Sequence, residues 1–279
     1  MSLSLRDEVR VVVCRDQVQL VRIGRKLTLQ GRQDQVLAKK IYPYESDAVP
    51  QLDNMVRTLE TALSELSGKP AYAQAILSNY FVRYTMVPWS DKLSNEAEEL
   101  AYAKHCFNQL YGATAQSWEL RLNQDFAGAP QLASAVDAQL LQALRAVFVR
   151  AKVKLKSVQP QLMTAYNNCQ ARLQNEDAWF VLFEHGSLCL GRVQQGHWNS
   201  VRTLKVGSDW LARLPEILDR EAYLSELDTS SVQIFLWAPE HSAAALPQST
   251  RWKISLVAPV IRPGFLPEYD ERFAAALSA

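Results

Sequence analysis

The order of elements along the chain constrains its fold more than any other feature, because both halves read strand, strand, strand, helix, strand. In the first half, Val9 to Arg15 is apolar and β-branched, and Gln17 to Ile23 alternates in period two. This predicts two strands joined by a tight turn at Arg15-Asp16, with a third at Val36 to Tyr42. Val49, Leu52, Val56, Leu59, Leu63 and Leu66 then recur at three- and four-residue steps, which predicts an amphipathic helix stopped at Gly68-Lys69-Pro70. A fourth strand is predicted at Gln74 to Leu77. In the second half Trp179 to Phe183, Leu188 to Val193 and Trp198 to Val206 are the three strands. A helix is predicted from Ser208, with Pro215 bending or shortening it, and strands at Val232 to Ala238 and Trp252 to Ala258 close the set.

Three hairpin-connected strands followed by a helical crossover to a fourth build a mixed sheet covered by helices. Two such units predict an α/β chain of ribonuclease H-like (actin-like) two-lobed architecture. The expected lobes are residues 1–130, with an inserted helix at Glu96 to Tyr111, and residues 131–279. A helix from Ala138 to Ala151 capped by Asp137, short strands at Gln116 to Leu122 and Lys154 to Val158, and a helix opened by Pro160 lie between the repeated units. Leu266 to Leu277 reads as a terminal helix or a mobile tail.

At 279 residues, roughly 75% of the unfolded surface can be buried, enough for one large domain or two joined lobes. Thirty basic against 29 acidic side chains supply no broad positive field, so no nucleic-acid partner is expected. Arg6, Asp7, Glu8 and Arg10 interrupt the start where an export signal needs an apolar run, and no stretch nears the ~20 apolar residues that cross a bilayer. A cytoplasmic protein without direct membrane insertion is expected. Cys14, Cys106, Cys169 and Cys189 are scattered, which reads as buried reduced thiols.

Motifs that carry chemistry are missing. His105, His185, His197 and His241 have no metal-ligand spacing, no Gly-x-Ser-x-Gly string occurs, and no glycine-rich phosphate loop is present, so neither catalytic residues nor a metal are expected. In a nucleotide-binding actin-like protein, the turn after the first strand of each lobe grips phosphate. Here those turns are Arg15-Asp16-Gln17, without glycine, and Glu184-His185-Gly186-Ser187, with Glu-His where Asp-x-Gly would serve. The adenosine-side turn, Glu240-His241-Ser242-Ala243-Ala244, also lacks glycine. Asp16, Glu184, His185, Gly186 and Ser187 therefore read as degenerate phosphate corners, and the plainer reading of Asp16, Glu184 and His185 is solvated turn residues. Phe81, Arg83, Tyr84 and Trp89 form an aromatic cluster around arginine of the kind that anchors partners, set against the plainer reading of a half-buried strand.

Leu132 to Val206 resembles the PilM family of type IV pilus assembly proteins and the related cytoplasmic domain of GspL from type II secretion. The residues that carry the resemblance are Ser134-Ala135-Val136-Asp137, the Leu- and Ala-rich helix after them, Lys154-Leu155-Lys156-Ser157-Val158-Gln159-Pro160, and a strand pair with Arg202 in the third strand. Ala71 to Trp89 resembles a first-lobe segment of uncharacterised relatives. The resemblance implies a non-catalytic cytoplasmic scaffold, held peripherally at the inner membrane by docking the short cytoplasmic tail of a pilus or secretion assembly protein. Self-association into a homo-oligomer is left open. The altered phosphate and adenosine corners imply no cofactor, a pseudo-ATPase. The alternative is a divergent actin-like ATPase or sugar-kinase-like phosphotransferase using ATP and Mg²⁺. A nucleic-acid module of the same fold is disfavoured because Val9 to Arg15 carries no carboxylate for metals.

Overall fold

The computed structural model describes residues 4–28, 31–45, 51–66, 70–123, 127–173, 177–224 and 233–279. Among them are two five-stranded sheets built on one plan. In the first, β1 (Ser4–Val13), β2 (Gln17–Thr28) and β3 (Gly31–Pro43) form an antiparallel meander. The helix α1 (Gln51–Ser64) then crosses over to β4 (Tyr72–Leu77), which pairs parallel with β1. Met55, Leu59, Ala62 and Leu63 of α1 are buried on the sheet. At about 1.5–3 kcal/mol for each large side chain, that stripe rather than helix propensity holds the crossover. Val49 and Gly68-Lys69 of the expected helix and its stop lie outside the described residues.

A third sheet is inserted after β4. It comprises β5 (Val82–Val87), β6 (Trp118–Leu122) and β7 (Gln131–Asp137), all antiparallel in the order β5-β7-β6, with α2 (Glu96–Tyr111) on one face. Asn95 caps α2 through Oδ1, which accepts the Glu98 N–H at 3.0 Å. Phe107 and Ala103 bury against Leu120, Ala133 and Ala135. A 3₁₀ turn over Gly112–Ser117 precedes β6, so the strand starts two residues later than the sequence pattern suggests. The helix α3 (Ala138–Arg150) then returns to β8 (Lys154–Pro160), which pairs parallel with β4. The first sheet therefore runs β3-β2-β1-β4-β8. Strand pairing therefore continues past residue 130, with β7 on β5 and β8 on β4.

The helix α4 (Gln161–Leu173) carries the chain to the second sheet; Pro160 ends β8 instead of occupying the first helical turn. There β9 (Ala178–Glu184), β10 (Ser187–Gln194) and β11 (His197–Lys205) repeat the meander, and α5 (Leu214–Leu224) crosses over to β12 (Gln233–Trp237) and β13 (Lys253–Leu256). The order β11-β10-β9-β12-β13 matches the first sheet strand for strand. The predicted helix start at Ser208 is corrected to Leu214. Pro215 has no N–H to give and sits at the second helical position, where none is needed, so it opens the helix instead of bending it.

One apolar core joins the lobes: Val9, Val11 and Leu77 of the first sheet, Leu162 and Tyr166 of α4, and Phe180 and Trp237 of the second sheet belong to the same cluster. The terminal segment is neither one long helix nor a tail free of the body. Two short 3₁₀ turns, Pro263–Glu268 and Glu271–Phe273, lead to α6 (Ala274–Ser278), and Phe265, Phe273 and Leu277 are buried against Val12, Ile23 and Ile76 on the first sheet.

Candidate functional site

In open α/β sheets, ligands sit beyond the carboxyl ends of the strands. Here the carboxyl ends of β1 and β4 in one lobe meet that of β9 in the other. The β1–β2 turn is closed by Cys14 N–H donating to Gln17 O at 2.9 Å, and the Asp16 carbonyl accepts the Tyr44 N–H at 2.8 Å. The Tyr44 hydroxyl donates to the Cys14 carbonyl. Arg15 is exposed and its guanidinium lies 5.5 Å from the Tyr80 ring centroid. These bonds tie the corner to itself and to Tyr44.

The second corner differs from the sequence reading. His185 and Gly186 form a two-residue hairpin loop, with Gly186 at φ 76°, and Ser187 pairs with Glu184 in the ladder. Glu184 is not a solvated turn residue. Its carboxylate reaches the other lobe, where it accepts the Ser78 hydroxyl at 2.8 Å and the Asn79 N–H at 2.9 and 3.1 Å. Burial pushes its pKa up to about 7 although both donors pull it down. Cys14 and Cys189 are also held protonated by burial, and Glu184 raises both further. Asp16 and Glu240 also raise the Cys14 thiol, after burial and Glu184.

At the adenosine-side turn, the His241 ring stands edge-on to Phe183 at 5.1 Å and to Trp210 at 5.3 Å, and Phe183 stacks on Trp210 at 4.1 Å. The Ser242 hydroxyl donates to Glu271 of the terminal segment. Rings and a tied-down loop stand where a glycine-rich turn would leave space. Among the described residues, no group of three or more His, Cys, Asp or Glu side chains is placed to hold a metal ion.

The expected anchor residues separate. Val82 and Tyr84 face the core; Tyr84 is buried, with its hydroxyl donating to Asn79 Oδ1 at 2.6 Å, so the reading of Tyr84 as a surface anchor is corrected. The same Oδ1 accepts the Leu162 N–H at 3.3 Å at the start of α4. Trp89 is 46% exposed beyond β5. Phe81 and Arg83 line a groove of about 360 Å³ with Leu52, Trp118, Asp137 and Leu140. A second groove of about 490 Å³ lies on the other side of α3, between β6 and β8. Leu77, Leu120, Val136 and Leu155 give it an apolar lining, Arg121 and Lys156 a basic one, and the Arg145–Glu119 pair spans it with two bonds of 2.9 Å. The sequence signal for this second groove is the alternation of Lys154-Leu155-Lys156, an edge-strand pattern with Lys154 and Lys156 exposed.

Comparison with known proteins agrees with this topology. The chain superposes on the PilM-PilN type IV pilus biogenesis complex with a TM-score of 0.63 at 13% identity, covering 97% of this chain and 96% of that one. A Bacteroides thetaiotaomicron protein of unknown function described as having an actin-like ATPase fold matches at TM-score 0.59 and 10% identity, over 99% and 97% of the two chains. The chain has an actin-like fold. The cytoplasmic domain of EpsL, an inner-membrane component of the Vibrio cholerae type II secretion system, shares it at TM-score 0.57 and 10% identity, over 96% of this chain and 92% of that one. No protein-family model matches the sequence, and no curated protein does. Among the described residues no helix is long and apolar enough to cross a membrane.

Proposed function

We propose that this actin-like chain is a non-catalytic scaffold of a pilus or secretion assembly, working in the cytoplasm at the inner membrane, and that it docks an extended cytoplasmic tail of a membrane partner in the β6–β8 groove. The observation that carries the docking reading is the groove's construction. β8 is an edge of the first sheet and β6 an edge of the inserted sheet, so two strand edges flank one apolar channel. An extended segment entering it can bond to an edge while alternate side chains fill the lining. Lys156 and Arg121 suit an acidic residue beside the apolar anchors. The pilus and secretion proteins that share the fold support the setting. The filled cleft corners support the absence of nucleotide chemistry, and the ATPase or phosphotransferase alternative requires those corners to open.

Two measurements on the full chain test this. Titration with ATP and Mg²⁺ is expected to give no saturable binding; binding with turnover, lost in Asp16→Ala, defeats the scaffold reading. A photo-crosslinking residue placed at Ser157 in cells is expected to capture the cytoplasmic tail of a membrane-spanning protein, and Ser134→Trp, which fills the groove, is expected to abolish that adduct. Crosslinking unaffected by Ser134→Trp rejects the groove.

A further inference from the structure

The two strand edges that flank the β6–β8 groove are not equally able to take up another strand. β8 is blunted. Its register on β4 shifts after Leu155, leaving Lys156 unpaired in the ladder, and it ends in Pro160, which has no N–H to give. The Lys156 ammonium sits over the Tyr72 ring, 3.7 Å from its centroid. β6 is regular. It runs antiparallel to β7 from Trp118↔Asp137 to Leu122↔Ala133 without a shift, and Asn123 N–H donates to the Leu132 carbonyl at 2.8 Å. Bonded and non-bonded pairs alternate along such a ladder. Glu119 and Arg121 therefore bond inward to β7, and the N–H and C=O of Leu120 and Leu122 point off the open edge. Side chains alternate too: Leu120 packs towards α2 with Ala135 and Phe107, while Glu119 and Arg121 line the groove with Val136.

The groove face of β6 already carries one carboxylate between two arginines. Arg145 of α3 grips Glu119 across the channel with both terminal nitrogens at 2.9 Å, and Arg121 stands two residues along the same strand. The hydrogen bond from Arg145, with the charges of Arg145 and Arg121 behind it, lowers the Glu119 pKa although burial opposes this. With the two side chains 51% and 39% exposed, the pair is worth little as a strut. Its position matters more. The charged groups lining the groove are Glu119 against Arg121, Arg145 and Lys156, a balance that favours an acidic ligand. Given the docking reading above, on which this rests, we propose that the partner segment adds to β6 as the next strand of the inserted sheet, and that Glu119 holds the place of an acidic residue of that segment, which displaces it from Arg145. A residue of the added strand directly opposite Glu119 or Arg121 turns to the groove face, beside the arginines. The ligand is therefore an extended peptide whose acidic residue shares a face with its apolar anchors, at even spacing from them.

Two end-capped, fluorescein-labelled peptides, Leu-Ser-Asp-Ser-Leu and its counterpart Leu-Ser-Asn-Ser-Leu, titrated against the full chain at low salt, separate the outcomes by fluorescence anisotropy. In the wild type the Asp peptide exchanges one carboxylate for another, and its advantage over the Asn peptide is expected to stay within about twofold. Glu119→Gln frees Arg145, and the advantage is expected to grow on the order of fivefold, the worth of one exposed ion pair, and to be lost again when Arg145→Gln is added. Glu60→Gln, which releases Arg150 of the same helix outside the groove, controls for net charge and is expected to match the wild type. An advantage equal in Glu119→Gln and the wild type, or raised as much by Glu60→Gln, overturns the placeholder role; binding that Ser134→Trp still abolishes then leaves docking in the groove standing. Binding by neither peptide overturns the acidic ligand class, and the Ser157 adduct alone then decides the docking reading. Amide exchange reads the strand. With the Asp peptide bound to Glu119→Gln, the Leu120 and Leu122 amides are expected to slow on the order of tenfold. Protection of Ser157 to Gln159 in their place overturns the assignment to β6.

Discussion

Asn79 shows how much one residue at the mouth of the cleft has to satisfy. Its N–H serves Glu184, and its Oδ1 serves both the Tyr84 hydroxyl and the first turn of α4, so the inserted sheet, the linking helix and the second lobe all meet on this residue. Tyr84→Phe keeps the buried ring and removes one bond of that set. The expected cost is about 1 kcal/mol in chemical denaturation, with the slope unchanged, because the acceptor keeps the Leu162 N–H. A cost near zero would mean that Tyr84 contributes through its ring alone. Little of this was legible in the sequence. Period-two alternation correctly put Val82 and Tyr84 on the face opposite Arg83, but it could not distinguish a buried tyrosine with a satisfied hydroxyl from an exposed anchor. Glu184 was read as a polar turn residue because its partners are brought to it by the packing of two lobes, and no local spacing encodes that.

At the scale of elements, periodicity was informative wherever one face is buried and the other wet. The helix α1 has this property, whereas β1 and β9 are buried on both faces and announce themselves as continuous apolar runs, and the second crossover helix starts at Leu214, later than its pattern suggests. β7 shows neither signal. Its Ala133 and Ala135 lie beneath α2, where only small side chains fit under Phe107, so the strand lacks the β-branched run that would announce it. Helix starts were legible where a cap acts through local bonds. Asp137 Oδ1 accepts the Gln139 N–H at 2.7 Å and the Leu140 N–H at 3.4 Å, holding the α3 start against the end of β7. Asp137→Ala is expected to cost about 1 kcal/mol of stability, and Asp137→Ser to recover most of it. Equal losses in the two variants would place the role of Asp137 in its charge and not in the cap.

On the scale of the whole molecule, the chain crosses between lobes twice, once through α4 and once from β13 back to the first sheet. The second crossing makes the lobes interdependent. Arg10, 1% exposed, donates to the Ala276 carbonyl at 2.7 Å and to Glu8 at 3.1 Å, with its guanidinium 5.6 Å from the Phe265 ring centroid. Arg262 pairs with Asp34 on β3 at 3.1 Å, and Asn168 of α4 bonds to the Val260 and Ser278 carbonyls at 2.9 and 3.0 Å. Between these ties, Gly264 lies directly on the β3 backbone: a Cβ there would stand 1.9 Å from the Asp34 carbonyl oxygen. Neither strand edge nor turn can move aside cheaply, since both are backbone. Gly264→Ala is therefore expected to lift the terminal segment off the first sheet, at a cost of roughly 2 kcal/mol or more, although the residue itself is exposed. Limited proteolysis should then cut first between β13 and α6, while the amides of the second meander keep their protection. If Gly264→Ala leaves both stability and the cleavage pattern unchanged, the terminal segment does not hold the lobes together, and the apolar core shared across α4 carries that function alone.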